Sequence, residues 1–380
     1  MQPERRLLML DAGNALRVVI SGGGTGGHVF PAISIAQEWM QWRPNTRLHF
    51  VGAVGKLEMS QVPAAGFQIT GLWIRGLQRK EWWKNFLLPL QFLVSLGQAL
   101  AVLRQHRPHL VVGMGGYASG PLLLMAQACG FPTVLQEQNA YPGATNRWLG
   151  RRASRIYVAF EGMEKYFDPG KILNTGNPIR RELLGTLPDK AAACAFFGLA
   201  TDHKVLLVLG GSLGARAINL AVESWLERED HSMLCLWQCG RNYQAPTELV
   251  QRLGSRLVVL PFIREMNMAY ACADLILSRA GAGTMSELAV VGKPCILVPS
   301  PYVAANHQYH NARNWSDRAA AWSSSDECIR EDLPGLVQRW LQHPEQGQEM
   351  AQNLSKLAQH AAGTAMVRDM FQCIQQAKTV

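Results

Sequence analysis

The first residues with a clear chemical potential are a glycine cluster and the histidine that follows it. Gly22, Gly24 and Gly27 lie between an apolar run that starts at Arg17 and a stretch typical of a helix. Glycines at such a turn let the backbone approach a ligand closely, and the amide groups at the start of the next helix attract anions. His28 lies just inside the helix start, where an imidazole could take up a proton near neutral pH. The alternative is a histidine that only caps or packs the helix.

The spacing of the three glycines also fits a dinucleotide fingerprint, but the rest of that pattern is missing. The second apolar run, residues 48–51, ends in glycines and not in the Asp or Glu that would bind the ribose of NAD. No lysine follows the glycines as it does in a P-loop. The sequence therefore argues against both an NAD enzyme and a P-loop NTPase.

A later glycine-rich segment and an isolated arginine add two more candidates. Residues 281–286, with their glycines and small hydroxyl side chains, leave space beside Glu287. That carboxylate could accept from both hydroxyls of a ribose, or it could be an ordinary acid in the first turns of a helix. Arg180 follows an Asn-Pro turn and could serve a uracil, a phosphate or only an interdomain ion pair. No D-x-D sequence occurs, so we expect no metal at a bound diphosphate.

Apolar runs alternate with helix-like segments from Arg17 onward, which is typical of a parallel sheet with crossover helices. Ligands bind such sheets at the carboxyl ends of the strands. From Lys204 the order of apolar run, glycine turn and helix begins again, which predicts two similar nucleotide-binding folds. The predicted strands are residues 17–20, 48–51, 110–112, 133–136 and 155–158 in the first half, and 205–209, 234–238, 257–260, 275–277 and 295–298 in the second. The tail, roughly residues 336–378, is predicted to form two helices.

The composition is that of a globular chain long enough for two domains, with 380 residues, 48% hydrophobic and 17% charged. The net charge of +9 predicts attraction to an anionic partner such as a nucleotide substrate or an anionic lipid. Nucleic acid is not expected, because the basic residues form no dense stripe with interleaved aromatic residues. Eight cysteines without a C-x-x-C pair indicate a reduced, cytosolic chain.

One uncharged segment, residues 86–103, is nearly long enough to cross a membrane. Its polar residues Gln91, Ser95 and Gln98 are spaced so that they share one face of a helix. This pattern favours a helix that packs on a domain or lies at an interface over a true membrane span. No signal peptide is expected, because the apolar part of residues 1–16 is short and contains Asp11.

Seven segments together support a specific resemblance, because they occur in one chain and in one order. They are Gly23–Pro31, Gly115–Pro121, Gln136–Asn139, Thr175–Arg180, Gly210–Arg216, Ser278–Glu287 and His307–Ala312. Each segment alone is weakly specific. The set resembles the bacterial MurG family, the N-acetylglucosaminyltransferases that convert lipid I to lipid II in peptidoglycan synthesis, and the likeness runs from about Arg17 to the C terminus.

The resemblance implies an α/β fold of the GT-B type, with two Rossmann-like parallel-sheet domains facing across a cleft. Residues 1–180 would form the domain that faces the acceptor and the membrane, and a C-terminal helix at about 362–380 would pack back on it. Residues 181–361 would bind UDP-GlcNAc. The implied activity is inverting transfer of GlcNAc from UDP-GlcNAc to the C4 hydroxyl of the MurNAc unit of lipid I. It would take place peripherally at the cytoplasmic face of the bacterial inner membrane, with no metal and no cofactor.

The resemblance also implies residue roles. His28 is the first candidate for the general base and Glu137 the second. Glu287 would hold the ribose of the donor, and Arg180 would reach its uridine diphosphate part from the hinge. The lipid-linked acceptor would face Gly115, Gly116, Tyr117 and Ser119. The full set expected to bind UDP-GlcNAc is Thr25, Gly26, Gly27, Asn139, Arg180, Ser212, Ile263, Ala282, Gly283, Thr284, Met285, Ser286, Glu287 and Gln308, of which the first four would close on the donor from the other side of the cleft.

The tryptophan-rich segment Trp73–Lys84 lies near the position of the membrane-facing patch of the family. It contains more tryptophan than we expect for that family. Tryptophans flanked by lysine and arginine suit the headgroup region of an anionic membrane. A partner interface or a packed loop is the alternative. The residues expected to form the membrane patch are Trp73, Ile74, Arg75, Trp82, Trp83 and Lys84.

Two other functions stay open on the sequence alone. A UDP-GlcNAc 2-epimerase of the same fold would share the donor site but would have no lipid acceptor. A non-catalytic nucleotide- or lipid-binding relative would bind UDP without turnover. The tryptophan-rich segment and the glycine loop at residues 115–121 argue against the epimerase.

Overall fold

The computed structural model describes residues 15–76, 82–211, 213–228, 233–303 and 306–379, with side chains described from residue 85 in the second range and up to residue 377 in the last. The chain divides into two compact units. The first reaches Gln138 and continues with Pro142–Pro178 and the residues from Ala361 onward. The second consists of Asn139–Tyr141 and Ile179–His360.

The first unit contains a seven-stranded parallel sheet with the strand order β3-β2-β1-β4-β5-β6-β7. Its central strands are buried along almost their whole length, because helices cover both faces of the sheet. The strands are β1 Arg17–Ser21, β2 Arg47–Ala53, β3 Ile69–Leu72, β4 Leu110–Gly113, β5 Thr133–Glu137, β6 Arg155–Val158 and β7 Ile172–Asn174.

The second unit repeats the arrangement with six parallel strands in the order β10-β9-β8-β11-β12-β13. As in the first unit, the chain starts at the centre of the sheet, runs to one edge, and then crosses to the other side, which is the doubly wound topology of nucleotide-binding folds. The strands are β8 Lys204–Leu209, β9 Met233–Gln238, β10 Leu257–Leu260, β11 Leu275–Ser278, β12 Cys295–Leu297 and β13 Trp322–Ser323.

Helices pack on both faces of each sheet. The described part of the chain has the helices α1 Gly26–Trp42, α2 Glu58–Ala64, α3 Leu88–His106, α4 Ser119–Ala128, α5 Ala144–Leu149, α6 Lys190–Phe197, α7 Arg216–Leu226, α8 Thr247–Leu253, α9 Met266–Cys272, α10 Ala282–Val291, α11 His307–Ser316, α12 Ile329–Gln342, α13 Pro344–Leu357 and α14 Ala362–Thr379. Short 3-10 turns span Trp82–Leu87, Met163–Lys165, Pro169–Lys171, Arg181–Leu183 and Gly254–Arg256.

The C-terminal helix α14 is part of the first unit. Its apolar side, including Met366, Met370 and Phe371, is buried against α1 in one hydrophobic cluster. Thr364 Oγ1 donates to Glu38 Oε1 of α1 at 2.6 Å. Tyr157 Oη, at the end of β6, donates to Asp369 Oδ2 at 2.9 Å. The last helix of the chain is therefore fixed to the first sheet by apolar contacts and polar bonds together.

All ten predicted strands are present, with ends that differ by two residues or fewer, and the predicted fold class is confirmed. Three strands were not predicted, namely β3, β7 and β13. Each lies at an outer edge of its sheet, is short and is only partly buried, so it lacks the continuous apolar run that marks a central strand. The prediction of two helices in the tail was wrong, because residues 329–379 form three, with breaks before Pro344 and Ala362.

Candidate active site

The first glycine cluster is a turn between β1 and α1, and it holds His28 in a defined position. Helix α1 begins at Gly26, with Thr25 at its N-cap. The His28 amide donates to the Thr25 carbonyl oxygen at 3.1 Å, and His28 Nδ1 lies 3.1 Å from Thr25 Oγ1. If Nδ1 carries the hydrogen and donates it to the hydroxyl, Nε2 is the nitrogen able to accept a proton. Thr25 therefore fixes the orientation that a general base requires.

The loop after β4 packs directly on this turn. Gly115 and Gly116 have positive φ angles of +88° and +86°, a conformation that favours glycine. A Cβ atom on Gly116 would lie 2.1 Å from the Gly23 carbonyl oxygen, and one on Gly115 would lie 2.9 Å from His28 Nε2. The backbones of the two glycine loops are therefore in direct contact. The imidazole of His28 occupies the position that a side chain on Gly115 would fill.

Of the other two residues expected to face the acceptor, Tyr117 is half-buried and Ser119 fully buried. The Tyr117 ring covers the glycine turn, since a Cβ atom on Gly24 would lie 2.8 Å from it. Burial and the nearby Glu58 carboxylate raise the pKa of the Tyr117 hydroxyl. Ser119 Oγ lies 2.9 Å from the Ser21 carbonyl oxygen and 2.8 Å from that of Gly115. Its hydroxyl therefore braces the two loops from inside the fold.

Glu58 is a site residue that the sequence did not reveal. It is fully buried, and its two carboxylate oxygens accept from the Ala53 and Gly24 amides, each at 2.9 Å. A Cβ atom on Gly23 would lie 2.1 Å from Glu58 Oε1, so the carboxylate lies directly against the glycine turn. No motif signals this role, because Glu58 is separated from the turn by the whole of α1 and β2.

The polar segment at the carboxyl end of β5 is built into the fold. Glu137 is buried and accepts from Asn146 Nδ2 at 2.9 Å and from the Gly143 amide at 3.2 Å. Gln136 Nε2 donates to Asn177 Oδ1 at 2.7 Å, and Gln138 Nε2 donates to the Met114 carbonyl oxygen at 2.6 Å. The segment therefore ties β5 to the loops around it, and Glu137 is held within that network.

Asn139 belongs to the second unit. Its side-chain oxygen accepts from Asn311 Nδ2 at 3.3 Å, and the next amide, that of Ala140, donates to Asn311 Oδ1 at 2.9 Å. Asn311 is fully buried and also donates to the Ala280 carbonyl oxygen at 3.2 Å. This one asparagine therefore connects the segment Asn139–Tyr141 to the glycine loop that precedes α10.

The second strand–glycine–helix turn follows β8. Gly211 and Gly214 have positive φ angles of +87° and +86°, and a Cβ atom on Gly214 would lie 2.3 Å from the Cys239 carbonyl oxygen. Ser212 lies outside the described residues. Helix α7 begins at Arg216, after the glycine turn, in the order that the sequence predicts. The described glycines lie in front of the helix, and Gly214 packs against the turn after β9.

Glu287 lies in α10, which begins at Ala282 after the N-cap residue Gly281. Arg180 Nε donates to Glu287 Oε1 at 2.9 Å, and Tyr270 Oη donates to Glu287 Oε2 at 2.9 Å. The carboxylate is mostly enclosed, with 12% of its side chain exposed. Burial raises the pKa of the Glu287 carboxyl, although Arg180 and the Tyr270 hydroxyl act in the opposite direction. Three residues that are far apart in the sequence thus form one polar cluster.

The other residues expected to bind the donor lie around this helix or on adjoining loops of the second unit. Met285 is in the core, and Ser286 Oγ donates to the Ala282 carbonyl oxygen at 2.9 Å. The buried Ile263 donates its amide to Gln238 Oε1 at 2.9 Å. Gln308 Oε1 accepts from the Ser300 amide at 2.8 Å. The side chains of Ile263 and Met285 are therefore packed inside the fold, so only their backbone groups are suited to contact a ligand.

Helix α3 has an unusual distribution of polarity. Its polar residues Gln91 and Ser95 are buried against the unit, whereas Phe86, just before the helix, and Leu93 are 90% and 65% exposed. Asn85–His106 is long and apolar enough to cross a membrane by length and composition, with a mean hydropathy of 1.9 and 28% of the stretch buried. In this structure, however, α3 packs on the unit through its other face, where Val102 and Leu103 join the core.

The residues expected to form a membrane patch adjoin this helix. Trp73 is exposed, and Ile74 and Arg75 are half-buried. The Trp73 amide donates to Gln98 Oε1 of α3 at 2.8 Å, which ties this segment to the helix. The side chains of Trp82, Trp83 and Lys84 lie outside the described residues. Among the described residues, no group of three or more His, Cys, Asp or Glu side chains is placed to hold a metal ion.

Comparison with known proteins places this geometry in a family. Residues 18–158 match the glycosyltransferase family 28 N-terminal domain, and residues 205–364 match its C-terminal domain. A Bacteroides fragilis protein named UDP-N-acetylglucosamine--N-acetylmuramyl-(pentapeptide) pyrophosphoryl-undecaprenol N-acetylglucosamine transferase is 45% identical over 369 residues, which is 96% of this chain and 97% of that one. The chain belongs to the MurG family. The resemblance expected from the seven motifs is thereby confirmed.

Solved structures agree with this assignment. The crystal structure of Acinetobacter baumannii MurG has a TM-score of 0.73 and 28% identity to this chain, and the match covers 93% of this chain and 99% of that one. The fold of this MurG family member is thus GT-B. The structure of a UDP-N-acetylglucosamine 2-epimerase is also similar, with a TM-score of 0.60, but at 12% identity this likeness concerns the fold alone.

Proposed function

We infer that this chain transfers GlcNAc from UDP-GlcNAc to the C4 hydroxyl of the MurNAc-pentapeptide carried on undecaprenyl pyrophosphate, a reaction that converts lipid I to lipid II. The observation that carries this conclusion is the 45% identity over 96% of the chain to an enzyme named for this transfer. The test is to incubate the protein with UDP-GlcNAc and a lipid I analogue. Formation of the disaccharide product together with UDP supports the proposal. UDP-ManNAc formed from UDP-GlcNAc alone would instead indicate an epimerase.

The second unit supplies most of the proposed donor site. Glu287 accepts from the ribose hydroxyls of UDP-GlcNAc, and Arg180 lies beside it with its positive charge. The first turn of α10, together with Gly211 and Leu213 after β8, supplies backbone amides, which favour the negative charge on the departing diphosphate. Ile263 and Met285 contribute through their backbone, and Gln308, Thr284 and Ser286 through polar groups. No metal is required in this account.

The first unit supplies the proposed acceptor site and the base. The C4 hydroxyl oxygen attacks the anomeric carbon of GlcNAc while the bond from that carbon to the diphosphate oxygen breaks, so the configuration inverts and UDP leaves. His28 takes the hydroxyl proton through Nε2, and the contact between Nδ1 and Thr25 Oγ1 orients the ring for this step. Glu137 is the weaker candidate, because its carboxylate is buried and already accepts two hydrogen bonds.

Replacing Glu58 by glutamine is expected to lower kcat at least about tenfold and to leave the affinity for UDP unchanged. The amide nitrogen of glutamine cannot accept, so one of the two backbone amides now bound by Glu58 is left without its partner, at a cost of about 1–3 kcal/mol. One of these amides is that of Gly24, so the substitution destabilises the glycine turn that positions His28. Steady-state kinetics with a lipid I analogue and calorimetry with UDP check both parts.

The matched control for this variant is Glu38→Gln, because Glu38 lies in the same unit and accepts from Thr364 on its outer side. That substitution should leave kcat within about twofold of the wild type. If Glu58→Gln has a normal kcat and a normal melting temperature, Glu58 does not support the turn. If it weakens UDP binding, the assignment of UDP to the second unit is wrong.

We also propose that the protein binds the cytoplasmic face of the inner membrane through the outer side of α3 and the turn before it. Phe86, Leu90, Leu93 and Val94 recur at helical spacing, so they form one continuous apolar face, and all four are exposed. A soluble surface normally presents the polar side of such a helix, so this inverted arrangement favours an apolar partner. The net charge of +9 adds attraction to anionic lipids.

A double substitution of Phe86 and Leu93 by serine is expected to reduce binding to anionic vesicles by at least about tenfold. Full burial of each of these side chains in the acyl region would contribute about 1.5–3 kcal/mol to the free energy of membrane binding. Flotation with vesicles of phosphatidylglycerol and phosphatidylethanolamine measures the bound fraction. The control is Phe196→Ser, which removes an exposed aromatic ring from the second unit. Equal flotation of the double variant and the wild type would refute the membrane role of α3.

Because the product of the proposed reaction is a precursor of peptidoglycan, we propose a role in cell wall biogenesis and, through it, in cell shape and cell division. The lipid-linked acceptor and the apolar face of α3 point to the same location, the membrane surface. A peripheral attachment fits both, because α3 also packs on its own unit through Val102 and Leu103.

A further inference from the structure

We propose that Tyr270 is a positioning residue that, together with Arg180, fixes the Glu287 carboxylate for recognition of the donor ribose. This inference rests on the donor site proposed above. It adds a residue that lies outside every glycine-rich motif of the chain. It also gives Arg180 a role that precedes any contact with the diphosphate.

The geometry is that of a carboxylate held from two sides. Tyr270 Oη donates to Glu287 Oε2 at 2.9 Å, and Arg180 Nε donates to Oε1 at 2.9 Å. Tyr270 lies in α9 and is fully buried, so its ring cannot move away without disturbing the core. Glu287 retains a small exposed fraction. Its rotamer is thus set by two donors that come from different elements.

This arrangement leaves the carboxylate able to bind a diol. Each carboxylate oxygen has two lone pairs, so each oxygen that accepts one bond from the protein can accept another from a ligand. The two adjacent hydroxyls of a ribose match the two oxygens of one carboxylate. A carboxylate whose orientation is already fixed loses less conformational entropy when the ligand binds.

The same contacts control the charge of Glu287. Burial raises the pKa of this carboxyl above its ordinary value, and so does the nearby Glu182; Arg180 and the hydrogen bond from Tyr270 lower it. Burial and the Glu287 charge raise the pKa of the Tyr270 hydroxyl well above its ordinary value, while Cys295 acts in the same direction and Arg180 opposes it. The tyrosine therefore stays protonated and remains a donor over the working pH range. Removing its hydroxyl would raise the pKa of Glu287 further.

The test is Tyr270→Phe, which removes the hydroxyl and keeps the ring in the core. UDP and 2′-deoxy-UDP are titrated by calorimetry between pH 5.5 and 8.5. We expect the affinity for UDP at neutral pH to fall about tenfold, as for loss of one bond to a charged group. Because a neutral carboxyl is a poorer acceptor, affinity falls as the pH drops through the raised pKa of Glu287. In the variant this fall should begin at a higher pH.

Further readouts separate positioning from a general loss of structure. The preference for UDP over 2′-deoxy-UDP should shrink in Tyr270→Phe, and KM for UDP-GlcNAc should rise while kcat at saturating donor changes little. The matched control is Tyr243→Phe, because the Tyr243 hydroxyl also donates to a carboxylate of the second unit, that of Glu223. This control should bind UDP with the wild-type pH profile.

The proposal is overturned if Tyr270→Phe binds UDP as tightly as the wild type. It is also overturned if affinity falls by the same factor at every pH, or if the wild type does not discriminate against 2′-deoxy-UDP. Transfer to a lipid I analogue is measured separately. Tight UDP binding by the wild type without transfer would refute the proposed function and not the role of Tyr270.

Discussion

Replacing His28 by alanine is expected to reduce kcat by about 10²- to 10⁴-fold, the usual contribution of a positioned general base. The affinity for UDP should stay within about threefold of the wild type, because the nucleotide is assigned to the second unit. The expectation rests on the geometry around the ring. His28 Nδ1 lies 3.1 Å from Thr25 Oγ1, and the imidazole packs on Gly115, where a Cβ atom would lie 2.9 Å from Nε2.

Single-turnover kinetics with a lipid I analogue, together with calorimetric titration of UDP, separates the chemical step from binding. His343→Ala is the control, because His343 is an exposed histidine of the second unit that pairs with its neighbour Glu345. A wild-type kcat in His28→Ala would remove His28 from the mechanism. In that case the Glu137→Gln variant tests the second candidate for the general base. If this variant loses turnover but keeps its melting temperature, Glu137 is the base.

The central parts of both units could be predicted from the sequence because their signals are local. A buried parallel strand is a continuous apolar run, and a glycine turn into a helix follows it directly, so β1 with α1 and β8 with its glycine loop are visible without tertiary information. The edge strands β3 and β13 have partly exposed residues and carry no such run.

The supporting residues of the site could not be predicted, because their roles depend on contacts across the fold. Glu58 reaches the glycine turn from α2, and Tyr270 reaches Glu287 from α9. Asn311 bonds to the segment around Asn139. In each case an ordinary polar residue is placed by tertiary packing at a backbone or side-chain group distant in sequence. The polar face of α3 could be located from spacing, but which face is buried depends on the neighbouring helix.

The two glycine turns illustrate how one structural unit can serve two chemical purposes. Both follow the first strand of a sheet and precede a helix, and both contain a glycine with positive φ whose missing side chain leaves room for a close neighbour: the Tyr117 ring at Gly24 and the Cys239 carbonyl at Gly214. In the first unit the helix starts at once, so a side chain of its first turn, His28, stands beside the loop. In the second unit the helix starts later, at Arg216. This difference fits a base in the first unit and an anion site in the second.

Replacing Glu287 by alanine is expected to weaken UDP binding by about 10²- to 10⁴-fold. Two hydrogen bonds from the ribose to a charged acceptor are lost, each worth about 1.5–3 kcal/mol, and every 1.4 kcal/mol is a factor of ten in affinity. The partners left behind, Arg180 and Tyr270, lose their common acceptor in a mostly enclosed site. If the carboxylate binds the ribose, calorimetry should give the same loss for UMP as for UDP, since both carry the ribose.

Two further variants make this result specific. Glu287→Gln keeps the shape of the side chain and one acceptor oxygen. Its affinity for UDP should therefore lie between those of the wild type and the alanine variant, and its melting temperature should be close to that of the wild type. Glu182→Ala removes the neighbouring acid, which lies 4.0 Å from Arg180 Nη1 and is more exposed, and it should leave UDP affinity within about threefold of the wild type. A much larger loss for UDP than for UMP would mean that Glu287 acts through Arg180 on the diphosphate. Unchanged affinity in Glu287→Ala would remove the carboxylate from the donor site altogether.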